Sequence, residues 1–370
     1  MKTITNTTSI LLVYTGGTIG MIENPVTGAL ENFSFEQLKK HVPELQKFDF
    51  NIDSCQFDHP MDSSDMDAKA WRMLVDIIQK NYDKYTGFVV LHGTDTMAFT
   101  ASALSFMLHG LSKPVILTGS QLPIGVIRTD GKENLLTSLE IAAAHRPDGL
   151  PMVQEVCVYF ENKLMRGNRT TKLNAEDFNA FRSYNYPDLA NVGIHIRYNQ
   201  NAIHYQEKVE PLEVHTEMNT NVAVLKLFPG IQEMVVRSVL SIEGLKGVVL
   251  ETYGSGNAPR KGWLLDCLSE ATKRGVVIIN VTQCKSGMVD MDRYETGYQL
   301  KSAGVLSGYD ITTEAALTKL MFLFGQGLTV EKVREDMMHS LVGEISMDSK
   351  IQLQNATTFA KVRKKSVLGL

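Results

Sequence analysis

The stretch Ile10 to Gly20 reads Ile-Leu-Leu-Val-Tyr-Thr-Gly-Gly-Thr-Ile-Gly, and the group in it best placed to do chemistry is the hydroxyl of Thr18. Five apolar or aromatic residues in a row suit a strand buried in a parallel sheet. Gly16, Gly17 and Gly20 permit a tight bend and close approach after it. Thr18 then sits at the strand's carboxyl end, the edge where open α/β sheets bind ligands, so it is a candidate nucleophile. Alone, the same residues also read as a plain strand-to-helix turn, and they lack the Gly-x-Gly-x-x-Gly spacing of dinucleotide sites. Three further sets complete a possible site: the polar cluster Asp62-Ser63-Ser64-Asp65, the pair Thr94-Asp95, and Lys172 at the end of a basic segment. For Thr94 and Asp95 the competing reading is helix capping, which both residue types favour. A lysine can take a threonine's proton if desolvation or positive neighbours lower its pKa toward neutrality. A second hydroxyl can relay that proton, and glycine-turn amides can form an oxyanion hole. The set suits acyl transfer, for which no metal or cofactor is required. Gly-x-Ser-x-Gly and Ser-x-x-Lys are missing, and the nine histidines show no His-Glu-x-x-His spacing.

The elements that must carry these groups read as strand, turn and helix in series. Met21 to Phe33, with Pro25 and Gly28 and no sustained periodicity, is expected to be a loop beside the Thr18 turn, able to act as a lid. Phe35 to Leu45 reads as a short helix and Phe48 to Phe57 as a strand that delivers Asp62 to Asp65. Trp71, Val75, Ile78 and Tyr82 fall at helical spacing and mark an amphipathic, core-facing helix. Gly87 to Leu91 is a second buried strand, and His92-Gly-Thr-Asp-Thr96 turns into a helix with Met97, Ala101, Leu104 and Leu108 on one face. Pro114 to Thr118 is a strand, Gly119 to Pro123 a loop, and Leu135, Leu139 and Ala142 one side of the next helix. Val156 to Phe160 is a fourth strand, after which Lys163 to Lys172 is expected as an irregular basic segment at the same edge. A doubly wound parallel sheet follows from this order. From Tyr198 to Thr220 the chain is polar and weakly periodic, the best linker candidate. A second α/β set begins at Val222, with the loops Thr252 to Pro259 and Thr282 to Gly287 at its ligand edge.

Composition narrows the partners. A chain of 370 residues is expected to form two domains, and a formal charge of −4 gives no electrostatic reason for nucleic acid to bind. The one dense basic run, Lys361 to Lys365, reads as a solvated end. Cys55, Cys157, Cys267 and Cys284 are scattered without a Cys-x-x-Cys, which fits reduced thiols in a cytosolic protein. The polar start and the short apolar strand behind it suit neither a signal peptide nor a membrane span, so a soluble cytoplasmic protein without a membrane partner is expected.

Thr15-Gly-Gly-Thr-Ile-Gly-Met21 and Leu91-His-Gly-Thr-Asp-Thr-Met97 match the two signatures of the bacterial-type L-asparaginases, and the chain most closely resembles their cytoplasmic type I branch. Met61-Asp-Ser-Ser-Asp-Met66, Thr118-Gly-Ser-Gln-Leu-Pro123, Arg166-Gly-Asn-Arg-Thr-Thr-Lys172 and Tyr253-Gly-Ser-Gly-Asn-Ala-Pro259 resemble further blocks of that family, in order along nearly the whole chain. The resemblance implies that Thr18 attacks the side-chain amide of L-asparagine to form an acyl-enzyme, with Thr94, Asp95 and Lys172 as the second part of the site. It implies that Asp95 also binds the substrate's α-amino group and that Asp62, Ser63 and Ser64 hold its backbone-like end. It implies two Rossmann-like α/β domains: a larger N-terminal one with a parallel sheet over residues 1–200 and a smaller C-terminal one over 221–370, joined by a linker at 201–220. Such chains assemble as dimers or tetramers, so a homodimer or homotetramer is expected.

Two positions depart from the family. Relatives carry a tyrosine after a glycine in the first loop, where this chain has Gly28-Ala29. Some type I enzymes bind asparagine at a second site through an arginine and a Thr-Gln-Cys loop. Thr282, Gln283 and Cys284 are present here, but Glu251 stands where the arginine would. Three rival readings share the scaffold. An asparaginase-like amidotransferase subunit carries an extra N-terminal domain, whereas nine residues precede the first strand here; a non-catalytic amino-acid sensor would have no need of all four catalytic-type residues. A glutaminase differs by one substrate methylene, worth about 1–3 kcal/mol of discrimination.

Overall fold

The computed structural model describes residues 8–23, 30–32, 35–206 and 210–346, and the chain divides between Glu217 and Met218 into two compact units. The first is built on an eight-stranded sheet. Its strand β1 (Ser9–Tyr14) is buried on both faces from Ile10 onward, as its unbroken apolar run requires. A short antiparallel pair, β2 (Met21–Glu23) with β3 (Leu30–Asn32), follows; the tip of the expected lid, with Pro25, Gly28 and Ala29, lies outside the described residues. Helix α1 (Phe35–His41) leads to the edge strand β4 (Asn51–Gln56). Helix α2 (Ala68–Asn81) is capped by Asp67, whose carboxylate accepts the Lys69 and Ala70 amides, and it buries Ala70, Trp71, Leu74, Val75 and Ile78. Next come β5 (Gly87–Leu91), α3 (Met97–Met107), β6 (Leu108–His109), β7 (Val115–Thr118), α4 (Gly131–Ala143) and β8 (Val156–Phe160). Strands β4, β1, β5, β7 and β8 lie side by side in that order and run parallel. The chain goes from β1 to β4 on one side and then crosses to β5 on the other. The carboxyl ends of β1 and β5 therefore flank the topological switch point, where the crevice of an open α/β sheet forms.

Past Phe160 the serial winding stops. Glu161 and Asn162 both take positive φ, 42° and 65°, the two-residue turn that closes a hairpin. Strand β9 (Lys163–Arg166) therefore returns antiparallel along β8, with Arg166 opposite Cys157. The basic segment expected at the ligand edge is mostly interior. Arg166 is 6% exposed; it pairs with Glu155 at 2.5 Å, donates to the Ala202 carbonyl at 3.0 Å and lies over the Tyr186 ring. Arg169 is 2% exposed, donates to the Asn185 carbonyl and covers the same ring. A guanidinium tolerates such burial because its planar fork satisfies carbonyls and carboxylates while its face stacks on an aromatic. Residues 167–169 pack along α3, where a Cβ on Gly167 would lie 3.0 Å from the Ala101 Cβ. Ten of the eleven residues of α3 are consequently buried, not one face as its spacing suggested. The ribbon of β10 (Thr171–Lys172) and β11 (Phe181–Arg182) follows, then β12 (Ala190–Val192) and β13 (Ile196–Tyr198), which extend the sheet beyond β9. Strand β14 (Glu213–Val214) pairs with β6, and Ala202 and Ile203 are buried, so these parts of the polar stretch pack within the first unit.

The second unit holds a parallel sheet of β15 (Val222–Lys226), β16 (Gly247–Thr252), β17 (Val277–Thr282) and β18 (Leu306–Ser307) in that order. Helices α5 (Glu233–Leu240), α6 (Gly262–Lys273), α7 (Glu295–Ser302), α8 (Thr313–Gly325) and α9 (Val330–Met337) accompany it. Its core joins Leu225, Val248, Leu250 and Ile278 to Leu264 and Leu268. All four cysteines are free thiols. Among the described residues no helix is long and apolar enough to cross a membrane.

Candidate active site

The turn after β1 is held by its neighbours' backbones. Thr15 donates its amide and its hydroxyl to the Leu91 carbonyl, at 3.1 and 3.0 Å, and its own carbonyl accepts the Met61 amide. Gly16 and Gly17 follow with φ of 128° and 89°, a region costly for a residue with a Cβ. There is also no room for one: a Cβ on Gly16 would stand 2.0 Å from the Met61 carbonyl oxygen, and one on Gly17 2.4 Å from the Gly93 nitrogen. The two turns thus pack backbone to backbone at Gly17 and Gly93, each one residue before its threonine, Thr18 or Thr94. Thr18 opens a single 3-10 turn, Thr18–Gly20, closed by the Gly20 amide on the Gly17 carbonyl, and it is half-buried while Ile19 and Gly20 are buried. Tyr14 lies beneath this turn and donates its hydroxyl to the Gly20 carbonyl at 3.2 Å. Burial raises that phenol well above its ordinary range, so it braces the turn as a neutral donor.

Thr94 and Asp95 do not cap α3. The cap position is Thr96, whose hydroxyl instead donates to the Ser63 carbonyl at 2.6 Å. Lys172 Nζ donates to Thr94 Oγ1 at 2.8 Å and to Asp95 Oδ1 at 2.6 Å. The lysine side chain is 16% exposed and the aspartate 67%, so the ammonium is sheltered while the carboxylate remains open to a ligand. Gln121, a partner that motif reasoning left without a role, completes the group. Its Nε2 donates to the Asp177 carbonyl at 3.2 Å, which can only accept, so its Oε1 faces Thr94 and takes the Thr94 hydroxyl proton, also at 3.2 Å. The Asp130 carboxylate holds this loop by accepting the Gln121 and Leu122 amides.

The cluster after β4 divides by role. Asp62 Oδ1 accepts the amide and the hydroxyl of Ser64 at 2.8 and 2.7 Å. Those donors, the amide first, hold the carboxyl below its usual range. Asp62 and Ser64 are exposed at the edge, whereas Ser63 is buried, with its Oγ 2.6 Å from where a Cβ on Gly93 would stand. Among the described residues no group of His, Cys, Asp and Glu could hold a metal ion.

His92, inside the second signature, is fully enclosed. Burial lowers its pKa to about 4, with the bond to the Gly93 carbonyl opposing. An unfolded histidine titrates near 6.5, so between about pH 6.5 and 4 the unfolded chain binds a proton that the folded chain refuses. Stability from this residue is complete above about pH 6.5 and declines by about 3 kcal/mol as pH falls toward 4. Urea unfolding between pH 7 and 4 should show this slope, and His92→Asn should flatten it; equal slopes in both proteins would reject the assignment.

In the second unit, the carboxyl ends of β16 and β17 bring Glu251, Thr282, Gln283 and Cys284 together. Gln283 Nε2 donates to the Leu227 and Glu251 carbonyls at 2.7 and 2.9 Å. Thr282 donates its hydroxyl to the Gly254 carbonyl and accepts the Cys284 amide. The Glu251 carboxylate accepts the Thr313 hydroxyl at 2.7 Å and faces Lys226 at 3.5 Å, so internal donors already engage both of its oxygens.

The fold and this geometry define an α/β protein in which a threonine hydroxyl, an ammonium and a carboxylate meet at the switch point of its sheet, with a second threonine on the adjoining glycine turn. The family model for the asparaginase N-terminal domain matches residues 9–204, and that for the glutaminase/asparaginase C-terminal domain matches residues 221–337. The chain belongs to the asparaginase family. It is 45% identical to L-asparaginase 1 of Escherichia coli K12 over 92% of this chain and 98% of the relative. It is 43% identical to the 60 kDa lysophospholipase of Homo sapiens over 92% of this chain and 62% of that protein. The crystal structure of L-asparaginase I from Vibrio cholerae matches with a TM-score of 0.84 and 42% identity, over 92% of this chain and 100% of that one.

Proposed function

We propose that the protein hydrolyses L-asparagine to L-aspartate and ammonia through an acyl-enzyme on Thr18. The observation that carries this reading is the Lys172 ammonium bonded to both Thr94 and Asp95, and the packing of Gly17 on Gly93 supports a Thr18 that faces this cluster. Thr18 Oγ1 attacks the side-chain amide carbon and gives its proton to Thr94 Oγ1, while the Thr94 hydroxyl turns from Gln121 and passes its own proton to the deprotonated Lys172. The tetrahedral oxyanion meets amides of the glycine turns. Collapse breaks the C–N bond as the nitrogen takes the proton from Lys172 and leaves as ammonia; water then attacks the ester, giving its proton to Lys172 by way of Thr94, and Thr18 Oγ1 regains a proton as aspartate is released. Asp95 holds the Lys172 ammonium in the free site; a substrate α-ammonium engaging that exposed carboxylate takes it from the lysine, which gives one proton to solvent and can then accept the proton from the threonines. Asp62 and Ser64, at the rim, hold the backbone-like end of the substrate, with Ser63 seating their loop. The working form is a cytoplasmic homodimer or homotetramer, its two asparaginase domains joined at the end of the 201–220 stretch, near Glu217.

The deciding experiment is ammonia release from asparagine and from glutamine. Release from asparagine supports the reading, binding without release favours a sensor, and preference for glutamine makes the chain a glutaminase. Asp95→Asn should raise KM for asparagine about tenfold or more by losing a charge-assisted pair. An unchanged KM would remove Asp95 from substrate recognition.

Glu251 bears on regulation. A carboxylate repels an effector's carboxylate where an arginine would pair with it, and here it is already committed to Thr313 and Lys226. The rate should therefore rise hyperbolically with asparagine. A sigmoidal curve whose Hill coefficient falls on replacing Cys284 would show that Thr282, Gln283 and Cys284 bind an effector by other contacts.

A further inference from the structure

Behind the Thr94 turn runs a chain of three buried side chains that the mechanism above does not use. Trp71 Nε1 donates to Thr100 Oγ1 at 3.0 Å, Thr100 Oγ1 and His92 Nε2 are 2.9 Å apart, and His92 Nδ1 is 2.6 Å from the Gly93 carbonyl oxygen. With the ring neutral, as its full burial favours, every direction in this chain is forced. The indole can only donate and the carbonyl can only accept, so Nδ1 carries the proton, Nε2 accepts, and the Thr100 hydroxyl donates to it. Trp71 and Thr100 come from α2 and α3, two packed helices, so the ring is anchored to the core at one end and grips the active-site turn at the other.

That grip falls on a residue with no side chain of its own to hold it. Gly93 has no side chain to limit its dihedrals, and none can be added, since Ser63 Oγ occupies the space. A trans peptide is planar, with its C=O and N–H pointing opposite ways. A bond to the Gly93 carbonyl therefore sets the whole Gly93–Thr94 plane, aims the Thr94 N–H away from the ring, and fixes the Cα from which Thr94 Oγ1 reaches Lys172.

We propose that His92 is a positioning residue for the reaction: as a neutral Nδ1–H donor to Gly93 it fixes the plane of the Gly93–Thr94 peptide, and with it the relay hydroxyl that Lys172 holds. The proposal rests on the hydrolase reading above for its kinetic consequence, though not for its geometry.

Two substitutions divide the ring's functions. An asparagine amide nitrogen overlays Nδ1, so His92→Asn keeps the donor to Gly93 and loses the partner of Thr100. A glutamine amide reaches the Nε2 position, so His92→Gln keeps a partner for Thr100 and loses the donor. With asparagine as substrate, His92→Gln should lower kcat about ten- to a hundredfold with KM within about threefold, the scale of a catalytic group displaced by a fraction of an ångström. His92→Asn should keep kcat within about threefold of the parent although it too melts earlier. Parallel kcat losses in both, or no loss in either, would reduce His92 to a core residue and overturn the proposal. Absence of ammonia release by the parent protein would instead count against the hydrolase reading. In either case, nitrogen-15 spectra of the His92 ring in the parent protein test the geometry directly: a neutral Nδ1–H tautomer at pH 7 supports it, and an Nε2–H tautomer or a titrating ring overturns it.

Discussion

Thr18→Val should fold as the parent does and lose turnover by about a thousandfold or more, the scale seen when a covalent nucleophile is removed. The substitution keeps the β-branched shape and replaces one hydroxyl by a methyl. The bonds that close the 3-10 turn run between backbone atoms, the Gly20 amide to the Gly17 carbonyl and the Met21 amide to the Thr18 carbonyl, so its geometry does not depend on the side chain. Thr18 is half-buried, which confines the stability change to about 1 kcal/mol. The measurement is ammonia release, with urea unfolding and calorimetric binding of asparagine in parallel. Retained binding with lost turnover is the expected pattern, since Asp62, Ser64 and Asp95 remain. Near-parental activity would remove Thr18 from the mechanism and with it the acyl-enzyme.

The largest expected effect on stability lies in the second unit. Lys319 and Glu344 are both fully buried and paired at 2.6 Å. Lys319 also donates to the His339 carbonyl at 2.5 Å, while the Glu344 carboxylate accepts the Leu341 and Val342 amides. These bonds tie the segment after α9 to α8. Burial lowers the Lys319 ammonium from its usual range despite its partner. For Glu344, burial is outweighed by Lys319 and the backbone donors, which leave the carboxyl below its usual range. Lys319→Met removes the counter-charge and strands the carboxylate, at a cost of about 3–5 kcal/mol. The double variant Lys319→Met/Glu344→Leu should recover part of that loss, because an apolar pair removes both buried charges but also the bonds to the His339 carbonyl and the Leu341 and Val342 amides. Linkage fixes the sign with pH: a carboxyl held below its unfolded value adds stability at neutral pH that is lost on acidification through the glutamate range. Without Lys319 that contribution disappears, so urea midpoints of parent and variant should converge as pH falls. A single variant as stable as the parent at pH 7 would show that the backbone donors alone hold Glu344.

Much of this protein follows from local sequence. Unbroken apolar runs at β1, β5, β7 and β8 mark interior parallel strands because such strands are buried on both faces, and the Trp71 to Ile78 spacing marks the buried side of α2. Thr18 and Thr94 stand out because glycines adjoin them and a chain read as strand, turn and helix puts both at carboxyl ends. Other features were hidden, one by an unusual local turn and the rest because they depend on contacts between residues far apart in the chain. The hairpin after β8 rests on positive φ at Glu161 and Asn162, and glutamate is a poor turn signal. Composition presents Arg166, Arg169 and Lys172 as one basic segment, yet Tyr186, Glu155 and distant carbonyls draw both arginines inside while the lysine alone reaches Thr94. Trp71 reads as core and is core, but only packing shows its indole serving Thr100 and, through it, His92. Residue type and short-range period thus determined the strands, the helices and the candidate nucleophile. Tertiary structure decided the partners of each polar group, because a hydrogen bond 29 or 78 residues long in sequence leaves no trace in local periodicity.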